Sequence, residues 1–188
     1  VFCGAAYGGE RAVDLTRRWL GVIKREAYRA SATLAAGHGY CVNKAGLLAA
    51  VCRASGIAAR LGYADVRNHL TSKRLYDMMG TDLFVFHGYT ELWFDGQWTK
   101  ATPAFNRSLC EKAGIRPLEF DGRADSVFHE FDASGRRHME YVHDRGTYVD
   151  LPRDDLIAAW REAYPSFPDW GRKLGIRADF ESDVQPGA

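Results

Sequence analysis

From Leu83 to Phe94 the side chains alternate with a period of two. Leu83, Val85, His87, Tyr89, Glu91 and Trp93 fall on one face, and Phe84, Phe86, Thr90, Leu92 and Phe94 on the other, which is the pattern of a β-strand. Asp95-Gly96 follows, a pair favoured in two-residue type I′ turns, and Gln97 to Thr102 reads as the returning strand. Pro103 stops it. That turn fixes the register: Trp93 faces Trp98, Glu91 faces Lys100 and Tyr89 faces Thr102. An aromatic pair and an ion pair are thereby expected across the hairpin. A long hairpin of this kind commits the chain to an antiparallel sheet with at least one face to be covered.

The stretch ahead of it reads as a helix. In Gly37-His38-Gly39-Tyr40-Cys41 two glycines lead to a cysteine where a helical pattern starts. Ala45, Leu48, Ala49 and Cys52 recur at helix spacing, Leu47 and Val51 widen the face, and Gly56 stands where the helix would end. Cys41 therefore falls in the first turn, where unpaired N–H groups and the positive end of the helix dipole favour a thiolate. The alternative for this stretch alone is a buried structural cysteine.

The rest of the chain alternates helix and strand signals. Val13, Leu15, Trp19, Leu20, Val22 and Ile23 mark an amphipathic helix ending near Tyr28, and Arg29 to Tyr40 reads as a loop. Ile57 to Val66 reads as a strand, and Thr71 to Asp82 as a helical turn and loop. Asn106 to Ala113, closed by Gly114, reads as a short capped helix. Leu118 to Phe120 reads as a short strand. Val127 to Phe131 and His138 to His143 suggest a second hairpin, with Tyr148-Val149 adding to its sheet. Pro152 opens a helix running to about Tyr164, Phe167 to Trp170 lies on the surface, and the tail from Glu181 is loose. The sum is an α+β fold in a single domain over residues 1–188, with a core of about 10–165 and a tail from 171 to 188.

Bulk properties remove several function classes. A net charge of +1 over 188 residues is no surface for nucleic-acid backbones or acidic membranes. No apolar run has transmembrane length, and the first residues are no recognisable signal peptide, which suggests a cytoplasmic protein, although a start without Met suggests a trimmed or partial chain. Cys3, Cys41, Cys52 and Cys110 form no CxxC pair and fit free thiols in a reducing compartment. Cys41 and Cys52 would stand about 16 Å apart along one helix, too far to bond. Neither a metal nor another cofactor is expected, and the oligomeric state is open.

A cysteine nucleophile needs a base, usually His, and the His needs an orienting group. Of the six histidines, His87 sits mid-strand with Tyr89 and Glu91, and the hairpin register puts Thr102 diagonally beside it. His69 with Asp65 and Asn68 reads as a polar strand end, and His38 as a loop residue. His129, His138 and His143 lack metal-ligand spacing. Arg53 and Arg60 are expected to pair with carboxylates.

Gly39-Tyr40-Cys41 running into Arg53-Ala-Ser-Gly-Ile-Ala-Ala-Arg60 resembles the cysteine block of the transglutaminase-like superfamily. His87-Gly-Tyr-Thr-Glu91 is similar to its histidine block, and Trp98-Thr-Lys-Ala-Thr102-Pro103 to its aspartate block. The resemblance spans about residues 10 to 106. Lys100 to Asn106 and Leu118 to Gly122 are similar to a bacterial branch of cysteine peptidases. It implies a papain-like fold, with the nucleophile helix packed on an antiparallel sheet that carries the histidine. It also implies thiol-dependent hydrolysis or transfer at a peptide, isopeptide or other amide, without a redox cofactor. Cys41 would be the nucleophile, His87 the base and Thr102 the orienting group. Thr102 stands where the family usually has Asp, and it brings a hydroxyl but no charge; Asn106 or Asp121 could supply the missing partner. One oxyanion donor is the backbone N–H of Cys41. For the second, usually an upstream side chain, Trp19 and Tyr28 are the options. A domain that kept the fold and lost the chemistry is the alternative function.

Overall fold

The computed structural model describes residues 25–167; the helix expected around Trp19 and the tail from Glu181 lie outside them. A 3-10 turn, Arg25–Tyr28, leads to α1 (Ala30–Ala36), α2 (Cys41–Ala54), β1 (Ala59–Asn68), α3 (Lys73–Met79), β2 (Leu83–Phe94), β3 (Gln97–Ala101), α4 (Arg107–Ala113), β4 (Met139–Tyr148) and α5 (Arg153–Ala163). The strands form one antiparallel sheet in the order β3-β2-β1-β4. The α+β expectation holds.

Helices α2 and α5 cover one sheet face. Val42, Ala45 and Ala49 of α2 and Leu156, Ile157 and Trp160 of α5 meet Leu61, Tyr63, Val85 and Phe86. On the opposite face Ala64, Val66 and Tyr89 pack with Phe128 and Met139, and the loop residues Ala104, Phe105 and Leu118 close over them. Both faces of β2 are thus covered, which explains its run of buried residues.

The hairpin register is the expected one at Trp93↔Trp98 and Glu91↔Lys100. Asp95 and Gly96 take φ of +48° and +85°, as a type I′ turn requires. The tryptophan rings meet edge-on at 5.2 Å. The expected Glu91–Lys100 ion pair does not form. Arg60 stands opposite Glu91 on the other side, in the β1 ladder, and takes the carboxylate while stacking over Trp98 at 4.2 Å. The Lys100 ammonium lies 5.1 Å over the Tyr89 ring instead. Arg53 also departs from expectation: it bonds the backbone carbonyls of Ala59 and Val149 rather than a carboxylate.

Four element assignments change. The Ala-rich stretch Ala30–Ala36, read as loop, is helical, since alanine has the best helix propensity. Lys73–Met79 is a full α-helix because the Ser72 side chain caps it, accepting from the Leu75 N–H. Leu118 to Phe120 forms no strand. Val127 to Phe131 is not one either: Ser126 bridges Ala101, Phe131 bridges Arg137, and the hairpin expected with His138 to His143 is absent. That segment belongs to β4, which pairs with β1 from Leu61↔Tyr148 to Asn68↔Met139. The free edge of β1 offers a ladder along its whole length, which the short segment at 127 cannot match.

The two-residue alternation of β2 also breaks once. Ala64 pairs with His87 and Val66 with Phe84, so Val85 and Phe86 together oppose Asp65. This is a β-bulge. Val85 and Phe86 both enter the core under the helices, whereas His87 goes to the other face, so Val85 does not share a face with His87 as the alternation predicts.

Candidate functional site

Cys41 is the first residue of α2, directly after the N-cap Tyr40. Backbone N–H groups of Gly88, Val42 and Cys41 itself reach its sulfur. The contact with β2 depends on Gly88, where an added Cβ would sit 3.0 Å from the Val42 Cα. Thr90 Oγ1 donates to the Ala45 carbonyl at 2.9 Å and fixes the same helix to the same strand. The thiol is thereby held against β2 at the residue after His87. The expectation of a thiolate at rest is not met. Burial raises the Cys41 pKa, and the N–H groups and the Lys44 ammonium only partly offset it. The helix start supplies the donors that sequence logic expects, but desolvation outweighs them.

His87 is 5 % exposed. Its ring packs at a tilt against Phe128 with centroids 4.7 Å apart, while the backbone of the next residue, Gly88, faces Cys41. Burial lowers its pKa to about 3, so the imidazole is neutral. Nε2 is buried without a hydrogen-bond partner among the described residues; through that atom it bonds neither Cys41 nor Thr102.

Thr102 directly follows β3, its N–H bonded to the Ser126 carbonyl. It is buried, and Oγ1 makes no hydrogen bond, so the orienting bond to His87 expected from the register is not formed. The Tyr141 hydroxyl lies close enough for Thr102 to act on its pKa. Asn106 and Asp121 are engaged elsewhere. Asn106 caps α4 by accepting from the Leu109 N–H. The exposed Asp121 carboxylate closes its own turn onto the Arg123 and Ala124 N–H groups, which hold its pKa below the usual range.

Several neighbours of the thiol escaped sequence reasoning. Lys44 is one helical turn beyond Cys41, and that spacing could have flagged it. Its ammonium also bonds the Ala104 carbonyl at 2.6 Å. Tyr141 arrives from β4 with no local signal. Its hydroxyl accepts from the Phe128 N–H, and it feels charge on Cys41. Tyr28, named as a possible oxyanion donor, accepts a hydrogen bond from the Tyr40 hydroxyl at 3.0 Å. It packs in the same cluster as Cys41, and burial is the main cause of a pKa pushed up to about 12. The Asn43 side chain ties its turn to α2 through the Ala27 carbonyl. Trp19 lies outside the described residues.

Across the sheet from α2, a cavity of about 260 Å³ is lined by Tyr89, Lys100, Asp125, Tyr141, His143 and Asp144 among others. Cys41 and Cys52 are free thiols. Among the described residues no His, Cys, Asp and Glu cluster is arranged to hold a metal, and no helix is long and apolar enough to cross a membrane.

Compared with known families, residues 17–103 match the model of the transglutaminase-like superfamily. No curated protein and no solved structure is significantly similar to the chain.

Proposed function

We propose that the chain, whose residues 17–103 match the model of the transglutaminase-like superfamily, carries out thiol-dependent acyl chemistry on an amide, on a papain-like arrangement of helix and sheet. The observation that carries this reading is the seat of Cys41, at the first turn of α2 against the Gly88 N–H, one residue from His87. Cys41 Sγ attacks the amide carbonyl while His87 takes the thiol proton. The tetrahedral oxyanion is met by the Cys41 N–H and the Tyr28 hydroxyl. Collapse breaks the C–N bond, His87 returns the proton to the leaving amine, and a thioester remains on Cys41. Water then releases a carboxylic acid, or an amine releases a new amide, and the thiol is regenerated. With the cysteine pKa raised and the histidine pKa lowered, both groups start neutral, so His87 acts as a general base rather than as half of a preformed ion pair. Thr102 holds the third position as a neutral polar wall beside Tyr141.

The test is acylation of Cys41 by an activated ester such as p-nitrophenyl acetate, followed by intact mass and ester cleavage. We expect a single acetyl adduct, absent in Cys41→Ala and formed at least about a hundredfold more slowly in His87→Ala. A second reading, a binding domain without catalysis, is favoured by the unpartnered Thr102 Oγ1 and His87 Nε2. It predicts that the ester leaves Cys41 unmodified, or that it acylates wild type and His87→Ala at the same rate.

A further inference from the structure

A β-bulge directly precedes His87. Without the extra residue at Val85-Phe86, strict alternation would carry Val85 to the face that His87 occupies, and the step onto Phe128 would lose its register against β1. The bulge puts Phe86 at a φ of +58°, a left-handed conformation that a bulky residue adopts only when its surroundings impose it. Here the imposing groups are explicit. The Phe86 N–H, turned away from the ladder, donates to Asp65 Oδ1 at 3.0 Å. Asp65 is 6 % exposed. Its carboxylate is gripped by Arg145 from the edge strand β4, Nε to Oδ1 at 2.6 Å and Nη2 to Oδ2 at 2.8 Å. The same guanidinium lies over the Phe86 ring, 4.6 Å from its centroid. One side chain from β1 and one from β4 thus hold both the backbone and the ring of the residue before the histidine.

We infer that Asp65 and Arg145 are positioning residues for His87: their two-pronged pair, closed on the Phe86 N–H and ring, sets the bulge that aims the imidazole. The inference rests on the role of His87 proposed above. A pair that served stability alone would have no reason to be closed on the residue before the base, and its loss would leave the chemistry of the folded protein unchanged.

The experiment measures Cys41 acylation by p-nitrophenyl acetate in wild type, Asp65→Ala, Asp65→Asn and Arg145→Lys, together with the His87 pKa by NMR. Asn keeps an acceptor for the Phe86 N–H, while Ala removes it. A misaimed base is worth about a hundredfold in rate, so folded Asp65→Ala should acylate roughly 30- to 100-fold more slowly, with Asn recovering most of the loss. The His87 pKa should rise from about 3 towards its ordinary 6.5 in Asp65→Ala as the ring leaves Phe128. If Asp65→Ala does not fold, the milder Asp65→Asn and Arg145→Lys variants decide, each with a smaller loss and a smaller rise. Folded variants with the wild-type rate and the wild-type His87 pKa would overturn the inference while leaving the proposed chemistry intact. Wild-type protein that is not acylated, or is acylated independently of His87, overturns the chemistry and the inference with it.

Discussion

At the scale of single residues, the site is governed by burial more than by charge. Cys41 has donors around its sulfur and an ammonium one turn away, yet desolvation keeps it a thiol. Iodoacetamide should therefore label Cys41 slowly near pH 6 and faster as the pH rises past the ordinary thiol range, a profile read by mass spectrometry. Tyr28 can be tested separately, because alkylation and acylation make different demands. Attack on an ester carbonyl creates an oxyanion, whereas displacement of iodide does not. Tyr28→Phe should slow p-nitrophenyl acetate acylation by about 10- to 100-fold and leave iodoacetamide alkylation within about twofold; equal slowing of both would assign Tyr28 to packing. Cys41 and His87 stand out in the sequence because the proposed chemistry needs those residue types in that order. The missing Thr102 bond was not, since register predicts which backbones face each other and says little about where a hydroxyl turns.

At the scale of elements, α5 completes what the β2 bulge leaves open. The Tyr164 hydroxyl accepts from the Val85 N–H at 2.7 Å and donates to the Leu83 carbonyl at 3.1 Å, and Trp160 Nε1 donates to the Val85 carbonyl at 2.9 Å. These are backbone groups that a bulge takes out of the ladder, and leaving them buried and unpaired is costly. Tyr164→Phe should thus cost about 2–3 kcal/mol in urea unfolding, more than a surface tyrosine would. Gly88→Ala acts at the other contact of β2. Its Cβ would press on the Val42 backbone, 3.0 Å from Cα and 3.3 Å from N, so the start of α2 must lift. We expect a loss of about 1–3 kcal/mol and ester acylation reduced more than tenfold, measured on the folded fraction. The hairpin, α2, α4 and α5 could be read from turn chemistry, caps and periodicity, all local. The bulge could not, because Leu83 to Trp93 alternates without a flaw and only pairing with Asp65 on β1 reveals the extra residue.

At the scale of the whole molecule, the sheet is a single layer with helices on one side and a loop-covered aromatic cluster on the other, and the second side carries the pH dependence. β4 on the edge of β1 was not foreseen, because the sequence of 127 to 143 looks like a local hairpin and the choice of partner is a long-range one. Its consequence is that His138, which immediately precedes β4, is buried beside Phe105 and Phe128, and His87 packs against the same Phe128 ring. Burial lowers both histidines, His138 to about 4 and His87 to about 3, from an ordinary value of 6.5. A folded pKa below the unfolded one means that the unfolded chain binds more protons in between, so stability falls as the pH drops below 6.5 and the loss is complete only beneath the folded values. Between pH 6.5 and 5 both histidines gain protons in the unfolded chain and stay largely neutral in the folded one. Each then contributes about 1.4 kcal/mol per pH unit once its unfolded form is mostly protonated. Replacing His138 with Leu removes one of the two without removing the apolar contact to Phe105 and Phe128. Urea midpoints at pH 6.5 and pH 5 should therefore show wild type losing about 1–2 kcal/mol more than His138→Leu over that interval, and equal losses in the two proteins would mean that His138 already binds its proton in the folded state.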